Sequence, residues 1–378
     1  MRRQLLLLLL LLPSAALAQD RPRVRDWGIT IGRYPPGLYN AITDVKGVAV
    51  GQVSLQKGEG ALQPGKGPIR TGVTAILACP DPWSVRLPVG TFVLNGNGEM
   101  TGLAYIDDLA SLETPILLTN TLNVGKVADA CVQWLIDGHP AIGVDDDVPL
   151  PVVAECDDST LNDIQGRHVG LAEVREALSK ARSGPVEEGN VGGGTGMIAY
   201  GFKGGTGTSS RVLPAQEGGY TVGVLVQANM GRRHELTVGG VRVGPRLQET
   251  PVARLTEGSI VFVVATDAPL NASQLRRLAR RTTHGLARTG AISHNGSGDL
   301  AIAFSTRNAI RRGQEEGELP MVGLANGSLD PLYEATVEAT EEAILNALFR
   351  AQPMTGRDDV MVPALPLDQL RDVLGGSR

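Results

Sequence analysis

The segment LTEGSIVFVVAT, residues 255–266, contains a glycine and a serine that lead directly into a long apolar run. From Ser259 to Thr266 nearly every residue is apolar, which is typical of a strand buried on both faces. Glycine is conformationally permissive, so Gly258 can hold the bond after it in a sparsely populated geometry, with the Ser259 hydroxyl beside the carbonyl of residue 258. The Gly258-Ser259 step therefore predicts either an ordinary turn or the site of an intramolecular acyl transfer from nitrogen to oxygen.

Similar apolar runs alternate with helical patterns along the rest of the chain. Strands are predicted at 73–78, 91–94, 116–119, 151–155, 220–228 and 300–305. Helices are predicted at 123–137, at 169–182 and after a cap at Asn271. A fourth is predicted to start with Asp330 as the capping residue and Pro331 at the first helical position, and to run to about Arg350. Because strands that are apolar on both faces need cover on both sides, this mixture predicts a layered α/β or α+β domain.

Glycine is concentrated between residues 187 and 210, in GGGTG at 192–196 and GGTG at 204–207. A phosphate-binding loop would need glycines that turn directly into a helix, with a lysine or acidic partner at a set spacing. Neither feature is present. The segment is therefore predicted to form a pair of turns that frame a strand over 197–202.

Composition excludes several classes of function. The formal charge is only -5 and the Lys and Arg residues are scattered, so nucleic-acid binding is not expected. The three cysteines allow at most one disulfide, and neither they nor the five dispersed histidines have zinc-ligand spacing. We therefore expect no metal and no cofactor.

Residues 1–18 have the pattern of a secretory signal peptide. The positive start MRR leads into a leucine run at 5–12 and then the small-residue stretch ending at Ala18. That run is shorter than the roughly 20 residues of a membrane-spanning helix. We expect cleavage after Ala18 and a periplasmic or secreted protein with no membrane attachment; an uncleaved anchor is the alternative.

A serine nucleophile needs a base, and the sequence suggests no Ser/His/Asp triad and contains no Gly-x-Ser-x-Gly elbow. Cleavage before Ser259 would give this residue a free α-amino group, whose pKa of about 7.7 to 8.0 suits general-base catalysis near neutral pH. One residue would then supply both nucleophile and base.

Eight motifs in order resemble the DmpA-like aminopeptidase family, which includes L-aminopeptidase/D-esterase and β-peptidyl aminopeptidase enzymes. They are NAITDVKGV at 40–48, RTGVT at 70–74, NGNGEMTG at 95–102, VGGGTGM at 191–197, VQAN at 226–229, GSI at 258–260, ATDAPL at 265–270 and GSGD at 296–299. The resemblance covers residues 27–365. It implies a four-layer α/β/β/α sandwich and a single catalytic domain, self-processed into an α chain, 19–258, and a β chain, 259–378, and assembled as a homo-oligomer.

The resemblance also implies roles for individual residues. Ser259 would be the nucleophile, Ser297 and Asp299 would orient its new amine, Asn229 would supply the oxyanion hole, and Glu155 would bind the substrate ammonium group. Without the resemblance, Ser297 is a turn hydroxyl, and Asn229 and Asp299 are polar groups at strand ends. Glu155 ends an apolar run, which is typical of a site residue or a paired core charge.

The chain departs from the family pattern at two positions. Some members have glutamate at the position of Asp299, so the carboxylate here is on a shorter side chain. Other members have a tyrosine of the oxyanion hole where this chain has Asp157, and a carboxylate cannot stabilise an oxyanion. Either another donor replaces the tyrosine or Asp157 is directed toward the substrate amine.

The sequence therefore favours an exported, self-cleaving serine aminopeptidase that acts on small peptides, amides or esters through an acyl-enzyme on Ser259. Two alternatives remain. The acyl-enzyme could transfer its acyl group to an amine instead of water, or the chain could be a noncatalytic extracytoplasmic binding protein that is never cut.

Overall fold

The computed structural model describes residues 21–248, 258–314 and 316–375. The predicted signal peptide, 1–18, lies outside these residues, as do residues 255–257 of the segment before Ser259. The described helices are α1 (Leu103–Leu109), α2 (Val124–Gly138), α3 (Leu171–Lys180), α4 (Ala272–Arg288), α5 (Asp330–Arg350) and α6 (Leu367–Gly375). None of them is both long and apolar enough to cross a membrane.

The strands of the described residues range from two to twelve residues in length. They are β1 (Ala49–Lys57), β2 (Ile69–Leu77), β3 (Val85–Gly96), β4 (Ser111–Leu112), β5 (Ile116–Asn120), β6 (Val152–Cys156), β7 (Ile198–Ala199), β8 (Phe202–Lys203), β9 (Gly205–Val212), β10 (Thr221–Asn229), β11 (Thr237–Val238), β12 (Val241–Arg242), β13 (Ser259–Thr266), β14 (Gly298–Ser305), β15 (Ile310–Arg311), β16 (Met354–Thr355) and β17 (Met361–Val362).

Two sheets form the centre of the molecule. The larger has the order β15-β3-β14-β13-β10-β9, with β4 paired to β3, and the smaller has the order β1-β2-β5-β6. In the larger sheet β13 is parallel to β14 and antiparallel to β10. The strand that begins with Ser259 is therefore hydrogen-bonded on both edges, as its continuous apolar character requires.

Alternating side chains of β13 enter two different apolar layers. Val261 and Val263 pack between the sheets, whereas Phe262 and Val264 face α4 and α5 on the outer side. On the far side of the smaller sheet, α2 and α3 cover a third layer that includes Val73. The order helices, sheet, sheet, helices confirms the predicted four-layer α/β/β/α sandwich.

The predicted strands and helix starts are largely confirmed, because each rests on a pattern of adjacent residues. Every predicted strand run lies within or overlaps an observed strand, and the Asn271 side chain caps α4 by accepting from the Gln274 backbone N–H at 3.0 Å. The Asp330 prediction was partly wrong: α5 begins there, but Leu329 precedes it and no side chain caps the helix. Asp330 is instead the first residue of the helix.

The prediction for the glycine-rich segment was wrong in two places. Residues 197–202 do not form one strand, because Tyr200 and Gly201 have φ values of 53° and 69° and turn the chain between β7 and β8. Residues 204–207 do not form a turn, because the strand β9 begins at Gly205. Close packing explains why the segment is rich in glycine. For example, a Cβ on Gly193, in its first glycine run, would lie 2.6 Å from the Leu118 carbonyl oxygen.

Candidate active site

Strand register brings together three segments that are far apart in the sequence. Ser259, the first residue of β13, lies opposite Asn229 at the end of β10 and beside Gly298 at the start of β14. Gly298 is flanked by Ser297 and Asp299. Four of the predicted catalytic residues therefore meet at one end of the larger sheet.

The Ser259 side chain lies at the boundary between the two sheets. Only 6% of the residue is exposed, and the alternation of β13 directs it to the same side as Val261, toward the smaller sheet. The Cys156 thiol of β6 lies next to the Ser259 hydroxyl and donates to the Gln227 carbonyl oxygen at 3.6 Å. Burial raises the pKa of Cys156, which keeps the thiol protonated and unsuited to act as a nucleophile.

Gly258 is required by space. A Cβ at this position would lie 2.2 Å from the Asn229 carbonyl oxygen and 2.6 Å from the Met230 Cα. No side chain fits there without moving the backbone. The sequence argument relied on the conformational freedom of glycine; the structure adds a steric reason for glycine immediately before Ser259.

Ser297 and Asp299 form a direct pair next to Ser259. The Ser297 hydroxyl donates to Asp299 Oδ1 at 2.5 Å, and Asn95 Nδ2 lies 3.5 Å from Asp299 Oδ2. Burial raises the pKa of Asp299, while the hydrogen bond from Ser297 opposes this shift. Because the hydroxyl hydrogen is used by Asp299, the Ser297 oxygen keeps lone pairs that can accept a hydrogen bond from an amine.

A small cavity lies next to this pair and is lined in part by Gly258, His294, Ser297 and Asp299. His294 Nε2 lies 2.6 Å from Oε1 of the buried Glu235, which follows the end of β10. This contact connects the turn that carries Ser297 to the segment that follows Asn229.

Asn229 has a fixed amide orientation. Its Oδ1 accepts from the Ile198 backbone N–H at 2.7 Å, and its Nδ2 donates to the Asp157 carbonyl oxygen at 3.0 Å. Because an amide nitrogen carries two hydrogens, one donor remains for a further acceptor. Its register position opposite Ser259 puts this donor in the part of the site where the nucleophile would react.

Glu155 lies at the same end of the sheets. Gly98 lies between Glu155 and Gly298, the residue paired with Ser259. A Cβ on Gly98 would be 3.2 Å from Glu155 Oε1 and 3.2 Å from the Gly298 Cα. Oε1 accepts from the Glu99 backbone N–H at 2.9 Å, and the Thr121 hydroxyl donates to Oε2. Burial raises the pKa of Glu155, while these hydrogen bonds oppose the shift.

Asp157 has a local structural contact. Its Oδ1 accepts from the Ser159 backbone N–H at 2.7 Å, and its main-chain carbonyl accepts from Asn229. Its negative charge also acts on Glu155. The two carboxylates thus make the region near Asn229 electronegative, and Asp157 provides no hydrogen-bond donor from its side chain.

Sequence reasoning missed several residues around the site. Cys156, Thr121 and Glu235 have no local signal, because their positions follow from strand register and loop packing. Asn95 lies within the quoted motif at 95–102, yet its contacts with the Ser293 and His294 carbonyl oxygens depend on the pairing of β3 with β14.

Comparison with protein families finds a match to Peptidase family S58 over residues 40–362. The chain is 45% identical to the beta-peptidyl aminopeptidase BapA of Sphingosinicella microcystinivorans, covering 97% of this chain and 94% of that protein. It is 42% identical to the BapA of Sphingosinicella xenopeptidilytica, covering 96% and 93% respectively.

Solved structures give the same relationship. The L-aminopeptidase D-Ala-esterase/amidase of Ochrobactrum anthropi, described as a prototype serine aminopeptidase with a variant of the Ntn hydrolase fold, superposes with a TM-score of 0.88 at 44% identity. A Burkholderia beta-aminopeptidase superposes with a TM-score of 0.87 at 43% identity. Both alignments cover 94% of this chain and 99% of the other.

Proposed function

The chain belongs to peptidase family S58 and is an aminopeptidase, and we propose that it is exported and cuts itself between Gly258 and Ser259. Ser259 would then release N-terminal residues from small peptides, amides or esters. The names of the two BapA relatives make β-amino acid residues the first substrates to test.

Self-cleavage would begin with attack of the Ser259 oxygen on the Gly258 carbonyl carbon. The amide C–N bond breaks as the ester C–O bond forms, and the hydroxyl proton passes to the departing nitrogen. Water then hydrolyses the ester, which leaves a Gly258 carboxylate and a free Ser259 amine and hydroxyl. The close approach of Gly258 to the Asn229 backbone supports this proposal, because it leaves room only for glycine at the residue whose carbonyl would be attacked.

The free amine would act as the base in each turnover. It takes the proton from the Ser259 hydroxyl while the oxygen attacks the substrate carbonyl, and it returns that proton to the leaving amine or alcohol. Water then hydrolyses the acyl ester and regenerates the serine. The Ser297 oxygen, whose hydrogen is held by Asp299, would accept an N–H of this amine and direct its lone pair toward the hydroxyl.

Asn229 Nδ2 would stabilise the oxyanion that forms on the substrate carbonyl. A donor of this kind contributes about 2.7 to 4 kcal/mol to transition-state stabilisation in a serine protease. The proposed function rests mainly on the strand register. Asn229 lies directly opposite Ser259 on one side, and Gly298, flanked by Ser297 and Asp299, lies beside Ser259 on the other.

Glu155 would bind the free ammonium group of the substrate and thereby restrict the enzyme to N-terminal residues. A buried carboxylate that already accepts two hydrogen bonds is held in one position for this contact. Asp157 adds negative charge nearby, which favours a cationic N-terminus over a blocked one.

The proposed function is tested with a chromogenic N-terminal amide that has a free amine and with its N-acetylated counterpart. We expect purified wild-type protein to hydrolyse only the free form and Ser259→Ala to hydrolyse neither. Hydrolysis of both forms at similar rates would contradict the role of Glu155, and an active Ser259→Ala variant would contradict the nucleophile.

The transferase alternative uses the same acyl-enzyme, because an amine can replace water in the second step. Adding amine acceptors to the reaction separates the two: coupled products identify transfer, and unchanged free acid identifies hydrolysis. A binding protein would instead give one uncut band on a denaturing gel.

Export, processing into chains 19–258 and 259–378, and assembly as a homo-oligomer are further parts of the proposal. Light scattering of the purified protein would give the number of copies, and N-terminal sequencing would locate both cleavage points.

A further inference from the structure

Lys203 is a buried cation behind Asn229 that the proposed reaction does not use. Its residue is 0% exposed, on the short strand β8, and its Nζ donates to three main-chain carbonyl oxygens. These belong to Met197 at 2.5 Å, Gly204 at 3.0 Å and Gly194 at 3.3 Å. Three acceptors around one nitrogen require three donors, and only the protonated ammonium group has three.

One of these acceptors belongs to the peptide unit that holds Asn229. The Met197 carbonyl accepts from Lys203, and the N–H of the same peptide, on Ile198, donates to Asn229 Oδ1 at 2.7 Å. The Met197 carbonyl also accepts from the Gly204 N–H at 2.9 Å. Hydrogen bonds in a chain polarise one another, so a cation at the carbonyl end makes the N–H at the other end a stronger donor.

The charge around Lys203 is balanced at a distance. Burial lowers the pKa of Lys203 to about 7, and the negative charge of Asp158 opposes that shift. Burial likewise raises the pKa of Asp158 to about 7. Asp158 Oδ1 accepts from Asn162 Nδ2 at 2.9 Å, and hydrogen bonds from Thr71 and Asn162 oppose the rise of its pKa. Asp158 also directly follows Asp157, whose carbonyl accepts from Asn229 Nδ2.

We propose that Lys203 is a positioning residue of the oxyanion hole, acting on Asn229 through the Met197–Ile198 peptide. The ammonium group fixes that peptide, and its N–H then fixes which end of the Asn229 amide faces Ser259. Withdrawal of electron density through the chain makes Asn229 Nδ2 a stronger donor to the oxyanion. The inference rests on the proposed function, because it assigns Lys203 a role in the same reaction.

The test replaces Lys203 by methionine, which has a similar length and no charge. We expect kcat to fall about tenfold while KM changes little, because the hydrogen-bond chain from Lys203 to Asn229 acts on charge that develops only in the transition state. Rates are normalised to the fraction of chain cut at Ser259, measured on a denaturing gel. An unchanged kcat, or a change confined to KM, would overturn the inference.

A double-mutant test with Asn229 distinguishes an effect transmitted from Lys203 through the Met197–Ile198 peptide from general structural damage. In an Asn229→Ala background, Lys203→Met should change kcat by less than about twofold, because the group it acts on is already gone. An equal, additive loss in both backgrounds would show that Lys203 acts elsewhere. Thr206→Val is the matched control: it removes a partly buried hydrogen bond to the Val191 carbonyl in the same glycine-rich segment and should keep the wild-type kcat.

Loss of one member of a buried charge pair can prevent folding, since it leaves the other charge uncompensated. The double variant Lys203→Met/Asp158→Asn removes both charges and therefore decides the test if the single variant does not fold. It should show the same loss of kcat, and wild-type turnover by the folded double variant would overturn the inference. If wild-type protein lacks Ser259-dependent activity, the proposed function itself fails. If wild-type protein is active and the Lys203 variants have the same kcat, only the proposed role of Lys203 fails.

Discussion

At the residue scale, the proposed site uses the buried carboxylate of Glu155 to bind the substrate amine. Glu155→Gln keeps the shape of the side chain and removes the charge, so the ammonium group loses its partner. Because truncating one partner of a buried charge pair costs about 2 kcal/mol or more, we expect kcat/KM to fall at least about 30-fold, mainly through KM. Steady-state kinetics on a free-amine substrate measures this.

Glu176→Gln provides the control for that change, because Glu176 lies on the exposed face of α3 and its ion pair within the described part of the chain is with the equally exposed Lys180. It should keep the wild-type kinetic constants. A Glu155→Gln variant with wild-type KM would contradict the proposed ammonium contact.

The pH dependence of KM follows from the same residue. Burial raises the pKa of Glu155, so this carboxyl gains its proton at a higher pH than an ordinary glutamate. In the proposed contact only the ionised form of Glu155 binds the ammonium group. KM should therefore rise as the pH falls toward that raised pKa. Glu155→Gln should lose this acid limb of KM, and an acid limb that persists in the variant would assign it to another group.

Gly258 permits a direct test of the steric argument. In Gly258→Ala the new Cβ would meet the Asn229 carbonyl oxygen at 2.2 Å, so the backbone must move and the cleavage geometry is lost. We expect uncut chain to accumulate on a denaturing gel. Gly125→Ala is the matched comparison, because a Cβ at this position of α2 meets no atom within 4 Å and its φ is not left-handed. Complete processing of Gly258→Ala would contradict the steric account.

The same scale shows what sequence alone could predict. Motifs predict Ser259, Asn229, Ser297 and Asp299, whereas the resemblance and the end of an apolar run predict Glu155. The structure brings all five to one end of the sheets. Their neighbours could not be found this way. Cys156 reaches Ser259 only because β6 and β13 belong to facing sheets, and Lys203 follows a tight turn that the sequence read as one strand.

At the scale of elements, β9 and α5 are held together by polar groups that a hydrophobic pattern does not reveal. Strand β9 reads GTGTSSRV, and its Gly207 lies against the backbone of α5, where a Cβ would be 2.0 Å from the Ala343 carbonyl oxygen. Arg211 of β9 binds Glu338 at 3.1 Å and Glu342 at 2.7 Å, with all three side chains buried. Sequence reasoning found α5 from its start signal and missed β9, because hydroxyls and glycines take the place of an apolar repeat.

Arg211→Met should destabilise this contact strongly. Glu338 would lose the Arg211 guanidinium and Glu342 would keep only that of Arg25 among the described residues. Breaking a buried pair in this way costs about 3–5 kcal/mol. Urea unfolding of the purified protein measures the change. Lys180→Met, which removes the exposed pair with Glu176, should leave the unfolding midpoint unchanged. Equal effects of the two substitutions would contradict the assignment of Arg211 to the core.

At the scale of the whole molecule, the proposed cut would divide one fold without separating its layers. Strand β13 begins at the proposed junction and remains paired with β10 from the α chain and β14 from the β chain. The two chains would therefore share the larger sheet and both of its apolar faces. Separation would expose these layers to water, so the cut protein should remain one folded unit.

The central claim is that a primary amine must be released at Ser259 before the enzyme can work. Intact-mass measurement of the purified, active protein tests it directly. The account predicts two polypeptides whose masses correspond to chains that end at Gly258 and begin at Ser259, and a single inactive polypeptide for Ser259→Ala. Full aminopeptidase activity in a preparation that contains only uncut chain would contradict it.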